Sequence, residues 1–253
     1  MHTDKPLVYF ILGAAGSGRR AVLLDLIAGG LPEDAKPAVL VSDGENPTAT
    51  EAQLPGLAQW TWDENSIDAA PLEGVTHVFL VCDGRINPVD QLEAGKSWLT
   101  QIGAEIGRVI CVVNCRLAEA HPPLLAWYDA CVHFSDVVLL NQREGVENKW
   151  LSEFQRRYKD QFYPCLFEFV KNNRVKNPAE VLDLQARRIS HLFDEDQDWV
   201  ITGGEDEDEA EGDEEIEAAP EEDHYLMRHI GGRRVHDIPD IVQFLPPAQS
   251  GLD

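Results

Sequence analysis

Five short apolar runs, Val8 to Leu12, Ala38 to Ser42, His77 to Cys82, Val109 to Asn114 and Val137 to Asn141, alternate with helix-like stretches along the N-terminal part of the chain. Runs this continuous read as strands buried on both faces, and their alternation with helices predicts an α/β fold: a mostly parallel sheet covered by helices on both sides. Each run ends in small or polar residues, where an open α/β sheet places its ligand crevice. Helices are expected at Arg19 to Ala28, Val89 to Ile106, Leu124 to Cys131 and Glu147 to Gln161, with a further strand at Leu166 to Val170. Asn177-Pro178 has the form of a helix start, N-cap followed by proline at the first helical position, and predicts a helix through about Leu192.

Charge divides the chain more sharply than hydrophobicity does. Of 45 acidic residues, 13 fall between Glu205 and Asp223, so the remaining residues carry −11 of the total −24. Almost nothing apolar stands between Gly203 and Asp223, and like charges repel, so this segment does not repay the entropy of ordering and is expected to be disordered. The expected organisation is an α/β domain over 1–193, an acidic linker over 194–223 and an amphipathic C-terminal piece over 224–253. That last piece carries Leu226, Ile230, Ile241, Phe244 and the basic pair Arg233 and Arg234; it is expected to dock on the domain or to hold a protein partner. An acidic body argues against nucleic acid and against anionic membranes. The run Leu7 to Leu12 is too short to span a bilayer and lacks a signal-peptide arrangement, which predicts a cytoplasmic protein. Cys82, Cys111, Cys115, Cys131 and Cys165 lie mostly in apolar runs without paired CxxC spacing, so buried free thiols are expected rather than disulfides or zinc ligands.

The sharpest local feature is Gly13-Ala14-Ala15-Gly16-Ser17-Gly18-Arg19-Arg20, set between the first strand and the first helix. It has the frame of a phosphate-binding P-loop, in which glycines let backbone N–H groups wrap phosphates at a helix N-terminus, a lysine reaches the outer phosphates and a hydroxyl binds magnesium. Arg19 stands at the lysine position and Arg20 at the hydroxyl position. Arginine pairs with phosphate but offers no acceptor to Mg²⁺, so phosphate binding is expected to outlast efficient hydrolysis. Two other readings fit the same residues. Gly16, Gly18 and Ala21 match the dinucleotide fingerprint, with Asp43 where a ribose-binding acid would stand. A glycine-rich turn also serves tight packing alone.

Later segments favour the P-loop. Asn141-Gln142-Arg143-Glu144 follows an apolar strand and resembles the guanine-reading N-K-x-D signature, with Gln142 for the lysine and Glu144 for the aspartate. With this the chain resembles the CobW-type GTPases, relatives of the nickel-inserting GTPases for hydrogenase and urease. Ser42-Asp43-Gly44-Glu45 is similar to that family's first switch region, which implies Asp43 or Glu45 near the metal. Cys82 to Val89 is similar to its Walker-B-side element, with Asn87-Pro88 matching and Asp83 implied beside magnesium or water. Leu54 to Trp60 takes the place of the family's G-C-x-C-C metal-binding motif without its three thiols, so soft-metal handling by that route is not implied.

The resemblance covers roughly residues 7 to 180. It implies GTP, GDP or another purine nucleotide, with Mg²⁺ in question, held by the Gly13 to Gly18 amides and Arg19, with Asn141 and Glu144 facing the base. The expected role is regulatory or accessory, with weak or absent hydrolysis. An NAD(P)-binding protein and a ligand-free interaction scaffold are the competing readings. His224, His229 and His236 lack HxH or HxxxH spacing and are expected to be solvated surface residues, and Trp60 and Trp62 to be core or partner contacts. No nucleophile elbow or HExxH motif occurs.

Overall fold

The computed structural model describes residues 5–45, 53–63, 66–69, 72–194 and 223–246. Calls for order or disorder in the acidic linker, apart from its first residue and Asp223, lie outside these. All five apolar runs are strands, and with three more they form an eight-stranded sheet. In chain order the strands are β1 (Leu7–Leu12), β2 (Pro37–Ser42), β3 (Ala58–Trp62), β4 (Ile67–Ala69), β5 (His77–Val81), β6 (Glu105–Asn114), β7 (Val137–Asn141) and β8 (Leu166–Phe169). Across the sheet they run β4-β3-β2-β5-β1-β6-β7-β8, and every pair is parallel except β3 with β4. The helices are α1 (Arg19–Gly30), α2 (Pro88–Ile102), α3 (Cys115–Ala120), α4 (Pro123–His133), α5 (Asn148–Lys159) and α6 (Pro178–Leu182).

Alternate residues of the strands feed two separate cores. Val8, Phe10 and Leu12 of β1 point into one, with the α2 and α4 side chains; Tyr9 and Ile11 point into the other, with Val22, Leu23 and Leu26 of α1. This two-sided burial is why the strands read as unbroken apolar runs. The five cysteines are all buried and free, as expected. Among the described residues no helix is long and apolar enough to cross a membrane.

Two expected helix ends need correction. The second helix ends at Ile102 instead of Ile106, because Gly103 (φ 64°) takes the left-handed C-cap and bonds back to Leu99 O and Thr100 O, freeing Glu105 to begin β6. The last helix ends at Leu182, ten residues short of Leu192. There tertiary partners outweigh helix propensity: Arg108 takes the carbonyls of Glu180, Val181 and Gln185, while the buried carboxylate of Asp136 accepts from the Arg187 amide and pairs with Arg188. The strand β6 ends at Asn114, as expected, and Asn114 Oδ1 caps α3 by accepting from the Leu117 amide. The strands β3 and β4 were not expected. Trp60 occupies a core position and donates from Nε1 to Val81 O at 3.0 Å, so its role is packing. Leu54 packs into the opposite core, so the segment aligned with a thiol motif supplies hydrophobic contacts.

The C-terminal piece docks on the domain. Tyr225 and Ile241 are buried, and Arg234 bonds to Tyr225 O, Asp90 and Glu93. Residues Val242–Phe244 form a single 3₁₀ turn, and Phe244 stacks on His121.

Candidate functional site

The sheet order sets the site. The loops after β1, β5, β6 and β7 emerge side by side at the C-terminal edge of the sheet, where the glycine-rich loop 13–18 leads into α1. Gly13, Gly16 and Gly18 have φ of 137°, 81° and 85°, values that β-carbon-bearing residues rarely adopt, and this curls the loop around its own amides. Gly18 serves as the left-handed N-cap of α1, whose positive end therefore faces the loop.

Arg19 does not face a phosphate position. Its guanidinium is buried beneath the loop, donating to Cys82 O and, at 2.5 Å, to Glu45 Oε1. Glu45 Oε1 also accepts from the Gly84 amide at 3.1 Å, and Arg20 stands 4.0 Å from Glu45 Oε2. Burial alone would lower the Arg19 pKa, but the Glu45 carboxylate outweighs it and holds arginine above its ordinary value. Glu45 responds in kind: burial pushes its carboxyl up, and Arg19, the Gly84 amide and Arg20 together bring it below the ordinary 4.5. Asp83 moves the other way, raised chiefly by burial and by the nearby Glu45 charge. Its Oδ1 accepts from the Arg85 amide at 2.8 Å and its Oδ2 from Ser42 Oγ at 3.4 Å. Beside it, burial pushes the Cys82 thiol up to about 12, so it stays protonated and inert at neutral pH.

Loop 83–84 presses directly on the glycine-rich loop. Gly84 O accepts from the Ala15 amide at 3.1 Å, and a β-carbon at Gly84 would lie 2.3 Å from Ala15 N. The Ser17 amide turns back to Ala14 O, and Ser17 Oγ is buried without a hydrogen-bond partner among the described residues. On the other flank three side-chain amides hold the loop's carbonyls. Asn141 Nδ2 donates to Ser17 O at 2.9 Å, Gln142 Nε2 to Gly16 O at 2.7 Å, and Asn114 Nδ2 to Gly16 O at 3.3 Å. Above them Phe244, Leu245 and Pro246 close one wall of a crevice of about 520 Å³, lined also by Gly16, Asn114 and Gln142. Pro246 lies against Gly16, and its carbonyl accepts from Arg85.

The structure thus gathers Gly13, Ala14, Ala15, Gly16, Ser17, Gly18, Arg19, Arg20, Asp83 and Asn141 into one site. Asp43 and Glu144 stand at its margin with exposed side chains. The acid of this segment that points inward is Glu45, two residues beyond Asp43. The dinucleotide reading needs β2 beside β1 so that an acid at the end of β2 meets the ribose, but β5 lies between them. That reading is therefore set aside. Gln91, Asn114 and Gln142 were not among the expected site residues. Asn114 was within reach, since it ends β6 as Asn141 ends β7 and the two are paired in register. Gln91 clasps the Asp83 peptide, accepting from its N–H at 2.7 Å and donating to its carbonyl at 3.0 Å, a role that no local pattern marks.

Tested against the groups the fold implies, the backbone fits a phosphate and the side chains do not fit its metal. The loop curls as a cradle at a helix N-terminus, and Asn141 and Gln142 brace it from the β7 side. Arg20 has no acceptor to offer Mg²⁺ and Arg19 is committed to Glu45, while a phosphate in the loop would have to displace the carbonyls that now hold the Ala15 and Ser17 amides.

No protein-family model and no curated protein matches the chain. Solved structures similar to it include the zinc-bound YjiA GTPase from E. coli (13% identity, TM-score 0.40, covering 73% of this chain and 67% of that one). HypB from Helicobacter pylori in complex with nickel is another (14%, TM-score 0.38, covering 70% and 82%). The signal recognition particle receptor FtsY from Elizabethkingia anophelis in complex with GDP is a third (13%, TM-score 0.45, covering 76% and 65%). At these identities the likeness concerns the fold. By its strand order and the glycine-rich loop that leads into α1, the chain has the architecture of a P-loop α/β fold.

Proposed function

We propose that this chain is a regulatory or accessory protein on a P-loop GTPase fold, binding a guanine nucleotide or another phosphate-bearing ligand weakly and without turnover. The observation that carries this is the buried Arg19–Glu45 pair. It puts a carboxylate and its counter-ion where a hydrolysing site keeps a lysine free for phosphate. Entry of an anion has to break that pair or bind beside it, which weakens affinity, and nothing at Arg20 recruits magnesium to drive hydrolysis. The retained glycine conformations and the Asn141 and Gln142 braces support a ligand site that still has its frame.

A second reading, a ligand-free interaction scaffold, is favoured by one feature: Gly84 and Pro246 already pack against the loop. Calorimetry with GTP, GDP, ATP and NAD(H), with and without Mg²⁺, separates the two. The proposal expects weak, magnesium-independent guanine-nucleotide binding that strengthens in a Phe244→Ala/Pro246→Gly variant, and no phosphate release above buffer. Binding of none of these ligands, by wild type or variant, would move the assignment to the scaffold. Magnesium-dependent turnover would overturn the regulatory reading.

A further inference from the structure

We propose that His133, Asp223 and His224 form a binding site for a divalent transition-metal ion of the zinc type, which clips the C-terminal piece to α4. One potential ligand atom from each of the three lies within 4.8 Å of the others. His133 Nε2 is 2.9 Å from Asp223 Oδ2, and the His133 and His224 rings are 5.0 Å apart between centroids. The three residues come from places 90 positions apart in the chain: the last residue of α4 and the first two described residues after the acidic run.

Each residue is suited to its part. His133 is only 3% exposed, which fixes its ring, and its Nδ1 has no hydrogen-bond partner among the described residues. Asp223 is oriented by the Tyr225 amide, which donates to Oδ1 at 3.0 Å and leaves Oδ2 turned to His133. His224 is exposed, and its ring lies 4.2 Å from that of Tyr225 between centroids, on the solvent side of the cluster. His236 stands next to it, 5.5 Å between ring centroids, with Tyr225 packed against both.

Two imidazoles and a carboxylate select the metal class. Zinc-like ions bind imidazole nitrogen and carboxylate oxygen at about 2.0–2.2 Å, whereas Mg²⁺ and Ca²⁺ prefer oxygen throughout. Tetrahedral ligand atoms at such lengths stand roughly 3.3 Å apart, so the His133–Asp223 edge is close to size and the exposed His224 supplies the closing movement. The site is separate from the glycine-rich loop and independent of the proposed function.

The test uses the full chain, with excess Mg²⁺ present to occupy the acidic run. Co²⁺ is titrated in by visible absorption and Zn²⁺ by calorimetry, on wild type, His224→Ala and Asp223→Asn. The expected result is one ion per chain, tetrahedral Co²⁺ absorption, and a loss of affinity of about tenfold or more in each variant. Zn²⁺ should raise the melting temperature of wild type and leave that of His224→Ala unchanged. Because the His224 ring also packs on His133 and Tyr225, lost ligation is read from the shift that Zn²⁺ produces in each protein and not from the metal-free melting temperature. Zn²⁺ and Co²⁺ binding no tighter than Mg²⁺, or wild-type affinity in His224→Ala, would overturn the proposal.

Discussion

A guanidinium without water needs acceptors, and Arg19 has Cys82 O and the Glu45 carboxylate and stands under the loop it was expected to line. Removing either half of such a pair strands the other, at a cost of about 3–5 kcal/mol. Arg19→Ala and Glu45→Ala should each lose about that much in urea titrations. The Arg19→Met/Glu45→Leu double variant should lose much less than the sum, because apolar residues of similar volume leave no uncompensated charge. Additive losses would show that the two groups are not coupled. Gly84 poses a steric counterpart to this electrostatic case. A methyl group there meets backbone, 2.3 Å from Ala15 N and 2.6 Å from Gly13 O, so no side-chain rotation relieves it. Gly84→Ala should cost about 1–3 kcal/mol, and hydrogen exchange should show protection falling first at the Ala15 amide, whose bond to Gly84 O is displaced.

At the scale of elements, Arg108 shows how one side chain ends a helix that local sequence would continue. It lies on β6, 1% exposed, and gathers the last carbonyls of α6 together with Gln185 O. Arg108→Met keeps the bulk and removes the donors. It should cost about 2–4 kcal/mol, given about 1.5–3 kcal/mol for each hydrogen bond to a charged group and partial rescue by water. Amide exchange should accelerate over 178–190 and stay slow in β1 and β6; uniform acceleration would mean that Arg108 supports the whole sheet instead. The same residue explains what sequence could and could not disclose. The five buried strands were legible because two-sided burial leaves a continuous apolar run, and α1 because a glycine loop leads into it. The early end of α6, the strand at Trp60 and the Gln91 clasp depend on partners tens of residues away, which no window of local pattern contains. In the site, the glycines and Asn141 were legible from spacing. The direction in which Arg19 points was not, because it is decided by Glu45 on another loop.

Across the whole molecule the same pair ties stability to pH. Glu45 has a folded pKa below its ordinary 4.5, so its contribution is complete above about pH 4.5 and is lost as pH falls through the depressed value. Asp223, lowered from 3.8 by His133 and Ser190 against the effect of burial, follows with the same sign at lower pH. Asp83 opposes them: raised above 3.8, it favours the folded state at low pH and gives that up as pH rises through its folded value. Asp194, lowered by His191 and Arg188 against the effect of burial, has the sign of Glu45 and Asp223; three against one, the melting temperature should decline below about pH 4.5, and Glu45→Gln should flatten the upper part of that decline. Net charge changes in the same range, since the sequence pI is about 4.5. Loss of solubility there would resemble unfolding unless the two are separated. Replacing the 12 acidic residues of 205–222 by serine changes the net charge from −24 to −12 and leaves Glu45, Asp83 and Asp223 in place. The solubility minimum should then move to higher pH while the acid limb of the melting curve, followed by circular dichroism in dilute solution, stays where it was. If both move together, the acid sensitivity arises from overall charge and not from the Arg19–Glu45 pair.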